Sequence, residues 1–370
     1  MKKEILHIDR GQYLIDILPL IPTDIILNKR ITGIGATYCE LKSPRNSIII
    51  EPTVPVIKGK LKDPEHKNVL GVFEGVKVEH ILSYLSKRQK SYKLITTPES
   101  FYKIREAMAE MEINMHSNYF LLFDECERIV QDVAYRSNIA LPMDDFFRFK
   151  NKAMVSATPI ISEDPRFIEN GFKILEINPT YPIKEDIRLI TTNCILDTLK
   201  EVVQPKEQIF IFLNSTDTIH AIIKQMGIEK ESTVFCSQKS VDKLKGRDFK
   251  STFETWDIKH IKKYNFMTSR FYAALDIKLP FNPDVIMITD LNYAVHTMID
   301  PNTEAIQIRG RFRNGIKSLT HITNTSNHYQ ITNRDEIKGY LRGCEEIYNK
   351  VKTIYEYAVS KNLSDAFGEA

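Results

Sequence analysis

Several short segments set glycines, hydroxyls, carboxylates and arginines at spacings that suit phosphate chemistry. Thr32-Gly33-Ile34-Gly35-Ala36-Thr37 follows the apolar run Ile25 to Leu27 and precedes a helix-forming stretch. Glycines let backbone N–H groups cradle phosphate oxygens at a helix N-terminus, and the Thr37 hydroxyl can ligate Mg2+. The same kind of turn between strand and helix also serves purely structural ends, and Ala36 stands where a GxGKT loop carries its lysine. Tyr119 to Phe123 runs into Asp124-Glu125-Cys126-Glu127. The first carboxylate suits Mg2+ binding and the second water activation; the alternative is a polar loop or an acidic helix start. Ala153-Met154-Val155 leads to Ser156-Ala157-Thr158-Pro159, which alone is an ordinary turn.

Two further segments lie in the second half. Thr268-Ser269-Arg270 opens a run that closes on Leu275-Asp276, and Gln307 is followed by Arg309, Arg311 and Arg313 around Gly310. Arginines so spaced can present planar forks to phosphate oxygens, although an isolated cluster of this kind reads first as a solvated basic turn.

These segments need strands that end side by side. Short β-rich apolar runs alternate with longer amphipathic stretches, the pattern of a largely parallel sheet wrapped by helices. The first half predicts strands at Ile25 to Leu27, Ser47 to Glu51, Val69 to Phe73, Lys93 to Thr96, Tyr119 to Phe123, Ala153 to Ser156 and Lys173 to Ile177. The second predicts them at Gln208 to Leu213, Thr233 to Cys236, Asn265 to Thr268, Val285 to Thr289 and His321 to Thr323. Asn178-Pro179-Thr180-Tyr181-Pro182 carries two prolines and reads as a linker. The expected domains are therefore 1–178 and 182–370. From Arg334 to Leu363 the tail predicts a helix, with Ile337, Tyr340, Leu341, Cys344, Ile347, Val351, Ile354, Tyr355 and Ala358 at helical spacing; the expectation is that they are core.

Composition bounds the function. Three hundred and seventy residues suffice for two domains with their own cores, and 51 basic less 48 acidic side chains leaves +3. Any nucleic-acid contact must then be local rather than the work of a polybasic tail. The start is interrupted by Asp9, Arg10 and Asp16 and does not read as a signal peptide; no apolar run approaches the roughly twenty residues of a membrane span. Five scattered cysteines form no CxxC pair and support neither a disulfide framework nor a zinc site. A soluble, cytoplasmic protein without membrane partners is expected.

The order of the segments carries more than any one of them. GxGxT, PT, TPES, DExx, SATP, then TSxxxxxLD and QxxGRxR, resembles the motif series of superfamily 2 helicases of the DEAD/DEAH-like kind, and GRFRN is similar to the wording in phages and mobile elements. The resemblance covers nearly the whole chain. It implies an α/β fold of two tandem RecA-like domains, each a mainly parallel sheet flanked by helices. It implies Gly33, Gly35, Ala36 and Thr37 as the phosphate loop, Thr37 and Asp124 at Mg2+, Glu125 as catalytic base, and Asp276 beside the nucleotide. Gln307, Arg311 and Arg313 correspond to the motif that reaches the γ-phosphate as arginine fingers. Ser156 and Thr158 match the motif that couples nucleotide state to domain movement. Pro52, Thr53, Thr97 and Pro98 resemble the nucleic-acid-facing loops of the first domain, with Asn214, Ser215, Thr268 and Ser269 as counterparts in the second.

The implied function is ATP-dependent translocation on, or unwinding of, single-stranded or partly duplex nucleic acid, expected to be DNA, in replication or recombination, with replication proteins as candidate partners. Departures keep a second function open. Ala36 replaces the loop lysine, Ala274 replaces a glycine before Leu275-Asp276, the last arginine falls one place early at Arg313, and the acidic box ends in Glu127. A degenerate helicase fold that binds nucleic acid or a replication partner without efficient ATP hydrolysis fits those departures; a small-molecule kinase is a more distant alternative. Lys29, just upstream of the loop, is expected at the surface, the alternative being that it swings to the phosphates.

Overall fold

A computed structural model describes residues 1–132, 137–183, 186–272, 275–325 and 333–360. Ala274, and positions 361–363 at the end of the expected tail helix, lie outside the described residues. Two compact units are present, Met1–Asn324 and Thr325–Ala370.

The first unit holds two sheets in which every strand pairing is parallel. One contains β1 (Lys2–Ile8), β2 (Ile25–Asn28), β3 (Ser47–Ile50), β4 (Val69–Val72), β5 (Lys93–Thr96), β6 (Phe120–Asp124), β7 (Asn151–Ser156) and β8 (Lys173–Pro179), in the order β1-β8-β2-β7-β6-β3-β5-β4. The other contains β9 (Arg188–Thr191), β10 (Ile209–Phe212), β11 (Ser232–Phe235), β12 (Thr252–Phe253), β13 (Tyr264–Met267), β14 (Asp284–Thr289) and β15 (Ser318–Thr323), in the order β12-β11-β13-β10-β14-β15-β9. These are two tandem RecA-like α/β layers, as the motif order implied.

Alternating side chains of one strand feed two different cores. Ile26, Ile48, Ile50, Leu121, Phe123 and Met154 pack on one face of the first sheet, while Ile25, Leu27, Ile49, Phe120, Leu122 and Val155 pack on the other. Burial on both faces is why these parallel strands read as unbroken apolar runs. The second sheet repeats the scheme, with Ile209, Ile211, Phe266 and Ile286 opposite Phe210, Phe212, Met267 and Val285.

Three strands escaped the sequence. β1 and β9 are sheet edges, mostly exposed, and their charged or polar residues hide the apolar signal; β12 is two residues long. The linker expected at Asn178 to Pro182 begins inside β8, whose last three residues pair only with β1, so Pro179 interrupts no ladder on the β2 side.

Among the described residues of the second unit, one helix spans Arg334–Ser360. Of the nine apolar positions expected to be core, Ile337, Tyr340, Leu341, Cys344, Ile347, Val351, Ile354 and Tyr355 are exposed and Ala358 is buried. Among the described residues, no helix is long and apolar enough to cross a membrane.

Candidate functional site

The carboxyl ends of the four central strands β2, β7, β6 and β3 converge, and in an open parallel sheet that edge is where ligands bind. After β2 the chain turns through Gly33 (φ 80°) and Gly35 (φ 85°), a left-handed backbone that glycine adopts without strain. Gly35 caps the helix Ala36–Lys42, so Ala36 and Thr37 present the first amides of that helix to the cleft. Upstream residues brace the turn, Leu14 N donating to Ile34 O at 2.7 Å.

Asp124 is the last residue of β6 and Glu125 follows with φ 49°, a conformation that costs a non-glycine residue about 1 kcal/mol or more. That turn lets the Glu125 amide donate to Asp124 Oδ1 at 3.0 Å. The Thr37 hydroxyl donates to Asp124 Oδ2. Lys29, expected at the surface, is instead 5% exposed, with Nζ 3.4 Å from Asp124 Oδ1 and 3.5 Å from Glu125 Oε1. Buried carboxylates demand a counter-ion, and the end of β2 supplies it. Burial alone would lower the Lys29 ammonium, but the charges of Asp124, Glu125 and Glu127 outweigh it and hold its pKa above the usual lysine range. Burial likewise works to raise Asp124, yet Lys29, Lys60, the Thr37 hydroxyl and the Glu125 amide together hold it below the usual range.

Sequence reasoning passed over two more members. Lys60, on the helix Val54–Leu61, places Nζ 2.8 Å from Glu51 Oε1 and 3.9 Å from Asp124 Oδ2. Burial, with Asp124 and Glu125 nearby, pushes Glu51 up to about 7 against the pull of Lys60. No spacing rule links residues 51 and 60 to the loop; only the adjacency of β3 and β6 does. Glu127 is pushed up to about 8 by burial and by the charge of Glu125.

Residues of the second sheet's layer close the cleft. From the helix Glu304–Gly310, Gln307 Nε2 donates to Glu125 Oε2 at 3.0 Å, to Glu127 Oε1 at 3.2 Å and to Thr158 Oγ1 at 3.3 Å. Ser156 Oγ donates to Glu125 Oε2 at 3.3 Å and accepts from Thr158 N at 2.9 Å, so both hydroxyl residues join this network. Arg311 is buried, its Nη2 on Gln307 Oε1 at 2.8 Å, and desolvation pulls its pKa down to about 10. Arg313 Nε holds Asp276 Oδ1 at 2.7 Å, while its Nη1 donates to Thr32 Oγ1 at 3.2 Å. Two glycines permit this approach. A Cβ on Gly33 would lie 2.7 Å from Arg313 Cζ, and one on Gly310 would lie 2.6 Å from Thr32 Cγ2. The resulting cleft of about 460 Å3 is lined by Lys29, Gly33, Gly35, Ala36, Thr37, Lys60, Asp124, Glu125, Asp276, Arg311 and Arg313.

These donors fit a Mg2+ nucleotide. A hydroxyl and an ionised carboxylate stand together, and Mg2+ in such sites takes its remaining ligands from waters and phosphates. Among the described residues, no three His, Cys, Asp or Glu side chains cluster as a self-sufficient metal cage.

A second cleft of about 570 Å3 gathers Pro52, Thr53 and Thr97 with Ser237, Ser269 and Arg270, beside Tyr102 and Lys103. The other expected groove residues stand behind it. Asn214 Oδ1 accepts from Ser269 N at 3.2 Å. Ser215 caps the helix Thr216–Met226, Thr268 Oγ1 donates to Phe235 O, and Pro98 is a buried first residue of a short 3-10 turn.

Solved structures with a similar arrangement of sheets include helicase domains. Saccharomyces cerevisiae Dbp5 bound to RNA and ADP BeF3 aligns over 83% of this chain and 80% of its own, at 14% identity and a TM-score of 0.51. The Pyrococcus furiosus Hef helicase domain aligns over 85% and 94%, at 14% identity and a TM-score of 0.45. A DEAD box protein from Methanococcus jannaschii aligns over 88% and 86%, at 17% identity and a TM-score of 0.38. The likeness to Dbp5 is one of fold, two tandem RecA-like α/β layers. No family model and no curated protein sequence matches the chain.

Proposed function

We propose that the protein is a nucleic-acid-dependent ATPase of the superfamily 2 helicase type, with residues 1–178 and 182–370 as its domains and single-stranded or partly duplex DNA as its track. The observation that carries the reading is the meeting of Thr37, Asp124 and Glu125 with Gln307, Arg311 and Arg313 across one cleft. Thr37 and Asp124 would hold Mg2+, which when bound supplies charge neutralisation for the phosphates. Glu125 orients the attacking water and accepts its proton. Gln307 holds the Glu125 carboxylate in place, and Arg311 and Arg313 meet the charge that develops on the γ-phosphate. Ser156 and Thr158 tie the water-activating carboxylate to the second layer, which couples turnover to lobe movement. The groove of small hydroxyl residues with Arg270 suits the sugar-phosphate backbone, and binding through that backbone is largely independent of sequence. Action in replication or recombination, alongside replication proteins, is part of the same proposal.

The second reading, a binding protein without efficient hydrolysis, is favoured by Ala36. Phosphate release measured with and without saturating single-stranded DNA or RNA decides between them. Stimulated release that disappears in Glu125→Gln supports the ATPase. Identical background release in wild type and Glu125→Gln, with and without strands, leaves only the binding protein.

A further inference from the structure

Ala36 leaves the phosphate loop without a cation, and the geometry around Asp124 points to where that charge comes from instead. Lys29 N donates to Ser156 O at 2.7 Å, which pins its backbone at the end of β2. Its side chain therefore rises from beneath the loop rather than from solvent, and its Nζ lies between the two carboxylates, 3.4 Å from Asp124 Oδ1 and 3.5 Å from Glu125 Oε1. Ala36, with only a methyl group, lines the same cleft as Lys29. The cleft's other lysine is committed elsewhere. Lys60 rests on Glu51 and approaches Asp124 through Oδ2, the oxygen that the Thr37 hydroxyl also bonds, which is the side where Mg2+ would sit.

We propose that Lys29 replaces the missing loop lysine as the residue that contacts the terminal phosphates of a bound nucleoside triphosphate. The assignment rests on the nucleotide-binding reading above. Without ligand, the ammonium neutralises two buried carboxylates that would otherwise repel one another. When the triphosphate enters with its metal, Asp124 turns to Mg2+ and Glu125 to the water, and the released ammonium donates to phosphate oxygens a few ångströms away. One lysine fixed to a central strand thus serves both states. A loop lysine at position 36 would bring a second positive charge beside Lys29, which accounts for the alanine.

The test uses the whole chain and two probes. Adenosine triphosphopyridoxal carries an aldehyde beyond its phosphates; it forms an imine with the nearest lysine, borohydride reduces that imine, and peptide mass spectrometry locates the mark. Wild type should be marked at Lys29, and excess ATP should prevent it. Titration with fluorescent mant-ATP in Mg2+ should show Lys29→Gln binding weaker by about tenfold or more, the loss of a charge-assisted contact. Adding Ala36→Lys to Lys29→Gln should restore binding and move the mark to position 36. A mark on Lys60, with Lys29→Gln binding mant-ATP like wild type, overturns the assignment and leaves the nucleotide reading intact. Wild type that binds no mant-ATP overturns that reading and the assignment together. Labelling of wild type needs no variant, so poor folding of Lys29→Gln does not remove the decision.

Discussion

Gly310→Ala tests whether the second layer's arginines work only when pressed against the phosphate loop. The substitution suits its own helix, since Gly310 has an ordinary helical backbone and alanine is the better helix former. The obstacle lies in the other layer: the new Cβ would stand 2.6 Å from Thr32 Cγ2 and 2.8 Å from Thr32 Cβ. Relief to an ordinary contact requires roughly 1 Å of separation. At that separation the three bonds of Gln307, at 3.0, 3.2 and 3.3 Å, and that of Arg313 to Thr32, at 3.2 Å, all pass out of range. At about 0.5–1.5 kcal/mol net for each bond, and with the two amide protons of Gln307 limiting the loss to three bonds in all, the closed arrangement weakens by about 1.5–4.5 kcal/mol, or about tenfold to two-thousandfold in turnover. Strand-stimulated phosphate release measures the rate, and energy transfer between dyes on the two layers measures the separation. Thr32→Gly added to Gly310→Ala should recover part of both. Unchanged turnover and dye distance in Gly310→Ala would refute the argument.

Glu125→Gln should abolish phosphate release while mant-ATP binding persists, because the carboxylate handles water rather than ligand. Glu127, raised from 4.5 to about 8, keeps in the native state a proton that the unfolded chain releases. Its contribution is therefore full below the unfolded pKa and is lost as pH climbs through the folded one. Glu127→Gln is permanently neutral, so its melting temperature should rise relative to wild type between about pH 5 and pH 8.5; a gap that stays flat would count against the shift. Arg270→Ala should weaken single-strand binding about equally for all sequences and lower the salt slope by about one, read by anisotropy; a loss confined to one sequence would exclude a backbone contact.

Motif order was the legible part of the site. Glycines, acids and arginines follow one another at strand ends, and strand ends are visible because parallel strands such as β6, buried on both faces, have no polar interruptions. What pairs across the sheets is not written in spacing. Lys29 read as a surface lysine because nothing near it in sequence is acidic, whereas its partners arrive from 95 and more residues away. Edge strands β1 and β9 were lost for the converse reason, since exposure lets them carry charge. The tail helix was misread because helical periodicity reports a stripe and says nothing of whether anything covers it.

The amide of Gln307 offers two protons to three acceptors, on Glu125, Glu127 and Thr158. Such an oversubscribed donor cannot satisfy all three at once. Were a water to take over the Glu125 oxygen in the proposed reaction, the same two protons would remain used by Glu127 and Thr158. On the proposed ATPase reading, the joint between the layers would then keep its hydrogen-bond count as the acceptors change.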